Sequence, residues 1–295
     1  MTAGPQTPDA RAHFAPGQSI VWLASYPKSG NTWLRALLTA YLYPEQKFDL
    51  NRLVGRPVAF ERQVLDDHAA INSAEYTPEE LLPFQAMLHR ELGRTLPAPS
   101  FIKVHSEYIC SADGSALFPA MASAGAVCIT RHPFDVAPSF AHHLGCSLDE
   151  AIAIMADDDA LLDHREDGGS SNVPQRLGSW SGHAHSWLSQ SEIPVLHMRY
   201  EDLLDDTAGQ FSRLLGFCGI SPNPAQLAHA VESTRFGRLQ RLEAEGGFSE
   251  KPSAGRAFFR QGRSRSGQTG LTSRQTQEIR NSHESMMGRL GYSFS

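Results

Sequence analysis

Four short groups of residues carry the chemistry available to this chain. The first is Tyr26-Pro27-Lys28-Ser29-Gly30-Asn31-Thr32-Trp33, set between an apolar run and a stretch of helix formers. A strand–turn–helix junction of this kind points several backbone N–H groups at one spot, where the helix dipole adds positive potential. Lys28 supplies a mobile cation, Ser29, Asn31 and Thr32 supply side-chain donors, and Trp33 offers a flat face to a purine. Together they suit a phosphate. The run is not G-x-x-x-x-G-K-[ST]: Lys28 precedes the only glycine, and no Ser or Thr follows a Gly-Lys pair to hold magnesium. The expectation is an anion site without a metal.

The second group is Arg131 with Ser139 eight residues on. An arginine grips a phosphate with two parallel hydrogen bonds, and a serine hydroxyl adds a donor; taken alone, Arg131 could equally cap a strand end. The third is Arg260, Arg263 and Arg265, a cationic cluster without an acid in a Gly- and Ser-rich stretch. The fourth is Lys103 and His105, two apart in Phe101-Ile102-Lys103-Val104-His105. Residues i and i+2 share one side of a strand, and ligands of open α/β sheets bind beyond the strands' carboxyl ends, so both can project into one site. A lone histidine is more often a structural hydrogen-bonder, and position decides between the two. The other histidines lack metal-ligand spacing: His142 and His143 are adjacent, and His183 and His185 are two apart on a predicted helix, so each pair diverges. No metal site is expected.

Elements that could position these groups follow from the apolar pattern. Short buried strands are predicted at 19–24, 101–104, 126–130 and 195–198. Helices are predicted from Trp33 to about Leu42, at 134–144, 148–155, 174–188, 207–217, 225–232 and 273–290. Short strands alternating with helices indicate an α/β fold: a P-loop-like three-layer arrangement with a central, mainly parallel sheet flanked by helices. Residues 44–99 and 157–172 read as irregular, the latter as a solvated acidic segment, and 245–270 as a long functional loop. The chain has 295 residues, of which 41% are hydrophobic and 20% charged, enough for a sizeable core. No run approaches the roughly 20 apolar residues of a membrane helix, and Met1–Pro16 lacks the apolar core of a secretory signal. A net charge of −6 gives no global field for nucleic acid, so any anion must be bound locally. Four cysteines without a C-x-x-C pair read as free thiols in a reducing cytoplasm.

In this order, the groups resemble the PAPS-dependent sulfotransferase family, which moves a sulfuryl group from 3′-phosphoadenosine 5′-phosphosulfate (PAPS) and leaves adenosine 3′,5′-bisphosphate (PAP). The likeness runs from about Ile20 to Tyr292 and suggests a polar extension over residues 1–18 and one catalytic domain over 19–295. The 26–33 turn is similar to the family's 5′-phosphosulfate loop, with Asn31 in place of a more usual Thr, a variant of bacterial type. Arg131-His132-Pro133-Phe134-Asp135-Val136-Ala137-Pro138-Ser139 is similar to its 3′-phosphate motif. Tyr200-Glu201-Asp202 and Thr234-Arg235-Phe236 resemble elements near the adenine, and Phe258-Phe259-Arg260-Gln261-Gly262 resembles the closing loop. That loop departs from the family in lacking its Gly-x-x-Gly-x-Trp ending: Gly262 is followed by Arg263-Ser264-Arg265-Ser266-Gly267, with no Trp.

The resemblance implies PAPS as co-substrate and no metal. It implies nucleotide contacts from Lys28, Ser29, Gly30, Asn31, Thr32, Trp33, Arg131, Ser139, Tyr200, Thr234, Phe236, Arg260 and Gly262. His105 is then the general base, with Lys28 and Lys103 stabilising charge at the leaving oxygen and the sulfuryl oxygens. The acceptor is expected to be a small molecule or natural product with a hydroxyl or amine, shaped by residues 44–99, 106–115 and 146–172. Two rival readings stay open: an ATP-dependent P-loop-like kinase, and a nucleotide-binding protein without catalysis.

Overall fold

The computed structural model describes residues 12–163, 170–250, 257–260, 262, 264 and 270–293; Arg263 and Arg265 lie outside them. In chain order the elements are β1 (Ile20–Ala24), α1 (Asn31–Leu42), α2 (Arg62–Ala69), α3 (Pro78–Thr95), β2 (Ser100–Val104), β3 (Ser123–Thr130), α4 (Pro133–Leu144) and α5 (Leu148–Ala156). They continue with β4 (Leu161–Leu162), β5 (Gln175–Arg176), α6 (Trp180–Ser189), β6 (Val195–Arg199), α7 (Tyr200–Asp205), α8 (Thr207–Phe217), α9 (Pro224–Ser233), α10 (Phe236–Gly246) and α11 (Ser273–Arg289).

The central sheet has the order β2-β1-β3-β6, and every pairing in it is parallel. Parallel strands are covered on both faces, which is why β1 reads as the unbroken apolar run Ile-Val-Trp-Leu-Ala with every residue buried. Val21 and Leu23 face the core built with α1 and α8, whereas Ile20, Trp22 and Ala24 face the one built with α3. The chain leaves β1 for β2 on one side and reaches β3 on the other, so the sheet's switch point lies beside β1. Register there is tight: Ala24 pairs with Val104 and with Cys128. The turns that follow these three strands carry Lys28, His105 and Arg131, and register alone brings them to one edge of the sheet.

Three expectations need correction. Residues 44–99 are not irregular: they hold α2 and the 18-residue α3, whose capping box joins Thr77 and Glu80, with Pro78 in the first turn. The helix expected from Pro174 begins only at Trp180, capped by Ser179; before it, β5 pairs antiparallel with β4. Residues 236–246 form α10, so the 245–270 segment starts from a helix end. Residues 12–13 already contact the sheet layer, with the Ala12 N–H donating to Phe217 and the His13 N–H to Ala124.

Candidate active site

The 26–33 turn is built by unusual backbone. Lys28 has φ 68° and Gly30 φ 106°, a left-handed conformation that costs a lysine free energy and that glycine takes readily. At Gly30 the position is closed to any side chain, because a Cβ would lie 2.6 Å from Cδ2 of Tyr200. No side chain caps α1, so the N–H groups of its first turn are left for an anion. Asn31 buttresses the turn from beneath: its amide donates to the Leu23 carbonyl at 2.8 Å and to Ser25 Oγ at 3.1 Å.

A cleft of about 360 Å³ opens at these strand ends, within the range of small-molecule sites. Lys28, Gly30, Asn31, Thr32, Trp33, Lys103, His105, Arg131, Ser139, Tyr200, Phe236, Arg260 and Gly262 all line it. Two expected residues do not. Ser29 is fully buried with its hydroxyl turned into the core, and its N–H closes the turn on Tyr26. Thr234 is buried and donates its hydroxyl to the Ala230 carbonyl, closing the end of α9. None of the described lining residues comes from 44–99, 106–115 or 146–172, the segments expected to shape an acceptor.

One end of the cleft is a guanidinium pair. Arg131 lies over the Tyr200 ring at 4.4 Å and donates to the Lys28 carbonyl at 3.2 Å. Tyr200 in turn meets the edge of Trp33. Arg260 reaches across from the closing segment to donate to the Pro138 carbonyl at 3.3 Å, next to Ser139. Burial, then the nearby Arg131, pushes the Arg260 pKa down. Two facing guanidiniums repel each other, and an anion between them would relieve it. The closing segment is fastened to α10, where Glu243 accepts the N–H groups of Phe258 and Phe259 and Gln240 donates to the Phe259 carbonyl. At Gly262 (φ 57°), a Cβ would overlap the Phe236 ring.

Lys28 lies between that pair and a second group, Lys103 and His105, which stands at the end of β2 on the far side of β1. Lys28 Nζ sits 3.7 Å above the Phe258 ring. Burial pushes its pKa down to about 7, helped by Lys103, Arg260 and Arg131 and opposed by Glu243. His105 Nδ1 lies 2.7 Å from the Ser25 carbonyl. A carbonyl only accepts, so Nδ1 carries the proton and Nε2 keeps its lone pair. Burial, then Lys103, holds the His105 pKa well below the usual histidine range, so the ring is neutral at physiological pH. The backbone is pinned too: the His105 N–H donates to Gln175 Oε1 at 3.0 Å, a residue that lies in β5 and not in the expected helix.

Sequence reasoning missed Glu250 and Arg35 and left out His143. Glu250 and His143 line the cleft, and Arg35 is buried behind Glu250. The neutral form of His143 is favoured, its pKa pushed down to about 4 by burial and then by Lys28 and Lys103. Among the described residues, no group of three or more His, Cys, Asp or Glu could hold a metal ion, and no helix is long and apolar enough to cross a membrane.

Fold and cleft define a class: an α/β protein whose cleft at the switch point of a parallel sheet gathers cations and sets a neutral imidazole beside them. The particular family follows from comparison. The model of the sulfotransferase domain matches residues 18–291, and the chain belongs to that family. It is 26% identical to sulfotransferase 1A1 of Bos taurus over 223 residues, covering 74% of this chain and 65% of that protein. It is 28% identical to cytosolic sulfotransferase 14 of Arabidopsis thaliana, covering 70% and 56%. The matched stretch therefore spans less than two thirds of these relatives' length. Among solved structures, mouse sulfotransferase SULT7A1 complexed with PAP aligns with a TM-score of 0.59 at 19% identity, covering 93% of this chain and 85% of that one. Retinol dehydratase in complex with androsterone and PAP gives 0.58 at 17%, covering 94% and 82%. The α/β fold, with its parallel sheet between helical layers, is thus the sulfotransferase fold.

Proposed function

We propose that this chain transfers a sulfuryl group from PAPS to a hydroxyl or amine of a small acceptor. The observation that carries the reading is one cleft with cations on both sides of β1: Arg131 follows β3, Lys103 and His105 stand at the end of β2, and Lys28 lies between them, with Arg260 also on the lining. Arg131 and Arg260 suit a 3′-phosphate, and Lys28 with Lys103 a 5′-phosphosulfate. In the step itself, the acceptor oxygen or nitrogen attacks sulfur in line. Its proton passes to His105 Nε2, and the bond from sulfur to the bridging phosphate oxygen breaks. The products are the sulfated acceptor and PAP, and the charge gathering on the leaving oxygen falls beside Lys28 and the first N–H groups of α1. Positioning and charge stabilisation do the catalytic work. Bound anions next to Lys28 and Lys103 also raise the His105 pKa, making it a better base once the donor is in place.

The four free thiols support a reducing, cytoplasmic setting, and Asn31 in the turn supports a bacterial type. The test is incubation with ³⁵S-labelled PAPS in EDTA against phenols, alicyclic alcohols, sugars and amines. Label is expected in one class. Transfer from γ-labelled ATP with magnesium, and none from PAPS, would make the protein a kinase. PAPS binding with no transfer to any class would make it a binding protein.

A further inference from the structure

Glu250 stands where a catalytic anion site has no evident use for an acid. Its Oε2 lies 3.0 Å from Lys103 Nζ and its Oε1 2.6 Å from Arg35 Nη1. The two cations differ in freedom. Arg35 projects from α1, is 1% exposed, and is fixed by a second bond from Nε to the Val54 carbonyl at 2.8 Å. The Lys103 ammonium caps a flexible side chain at the cleft wall, and its backbone N–H is tied to Gly55 beside Val54. Glu250 is itself held in place. The preceding Ser249 N–H donates to Asn51 Oδ1 at 2.7 Å, and Phe248 is buried among residues that include Leu50 and Leu53.

We propose that Glu250 is a positioning residue for the transfer: anchored by Arg35, its carboxylate holds the Lys103 ammonium at the sulfuryl end of the cleft until the donor's sulfuryl oxygens take it. This rests on the PAPS-dependent reading above. The empty cleft carries an excess positive charge here that the donor offsets. In the empty cleft, one carboxylate serves two cations. When Lys103 turns to the sulfuryl group, Arg35 and Glu250 remain a neutral pair, and the ammonium neutralises the transferring group. Without Arg35, Glu250 would compete with the sulfuryl group for Lys103 throughout. Without Glu250, a buried ammonium would lose the carboxylate bonded to it. The groups facing Lys103 are Glu250 and Asp163, which favour its charged form, and Arg35, Lys28, His105 and His143, which do not.

The test is Glu250→Gln, with thermal melting and PAP binding as controls. The sign follows from the pairing: Lys103 must keep its proton to serve the sulfuryl oxygens, Glu250 helps it do so, and losing that charge lets the proton leave at lower pH. The alkaline limb of kcat/KM for PAPS, which reports the free enzyme in which Lys103 still rests on Glu250, is expected to move down by about one pH unit, a tenfold change in proton affinity. PAP affinity should stay within about threefold. Adding Lys103→Arg, whose charge does not titrate in this range, should return the limb to higher pH. A wild-type limb in Glu250→Gln, or a uniform loss of rate without a shift, overturns the proposal. Two complexes of the wild-type protein supply a test that needs no variant. Lys103 should contact Glu250 with PAP bound and the sulfonate oxygens with a non-transferable sulfonate analogue of PAPS, Arg35 keeping Glu250 in both. Lys103 on Glu250 in both complexes refutes the exchange. Absence of transfer by the wild-type enzyme would instead count against the sulfotransferase reading itself.

Discussion

Nucleotide binding should draw a proton from solution, and Lys28 should be its destination. In the empty cleft, burial and three neighbouring cations push the Lys28 pKa down to about 7. An arriving 5′-phosphate supplies the missing negative charge and returns the group toward its ordinary value near 10.4. At pH 8 a lysine of pKa about 7 is roughly nine-tenths neutral, so binding should take up about 0.9 proton per nucleotide; at pH 6 the uptake from this group should be about 0.1. Affinity must follow, with the PAP dissociation constant rising about 50-fold between pH 7 and pH 9. Calorimetry of PAP in buffers of differing ionisation enthalpy measures the uptake directly. Lys103, whose pKa is also lowered by burial, and the phosphates contribute their own protons. The reading is therefore the difference between wild type and Lys28→Arg, whose charge is permanent. Equal proton uptake in the two proteins, or a dissociation constant flat from pH 7 to pH 9, would refute the reasoning.

Other outcomes follow from the same geometry. His105→Ala should lower turnover by about 10²–10⁴-fold, the usual contribution of a general base, with PAP affinity intact; wild-type turnover would remove His105 from that role. Arg131→Ala should weaken PAP by about 10–100-fold, through loss of a charge-assisted bond, and adenosine 5′-phosphate by less than about threefold; equal losses would refute the 3′-phosphate assignment. Gly30→Ala should strain the φ 106° position and collide with Tyr200, lowering the melting temperature by about 5 °C and weakening PAP through the displaced ring beneath Arg131. An unchanged melting curve would contradict the packing.

Much of the cleft's lining was legible in sequence because its determinants are local. The 26–33 turn, Lys103 with His105, and Arg131 with Ser139 each sit at or just beyond a strand's carboxyl end, and parallel register gathers them without further information. Local signals were also present for α3, where Thr77-Pro78 and Glu80 announce a capped helix, but Pro83 inside it hides the pattern. Other features depend on contacts that spacing does not encode. Gln175, in β5, meets His105 70 residues away. Glu250 meets Lys103 across 147 residues and Arg35 across 215, so nothing near it in the chain marks it as part of the site. Ser29 and Thr234 show the reverse: motif position suggested ligands, but both are buried off the cleft lining, and the Thr234 hydroxyl bonds to the Ala230 carbonyl.

The most direct measurement is a crystal structure of the protein with PAP bound. The 5′-phosphate should lie on Lys28 and the N–H groups of Asn31 to Trp33, the 3′-phosphate between Arg131, Ser139 and Arg260, and His105 Nε2 should face the vacant side of the 5′-phosphate. A nucleotide lying in the opposite direction, or bound away from Arg131, would contradict the account.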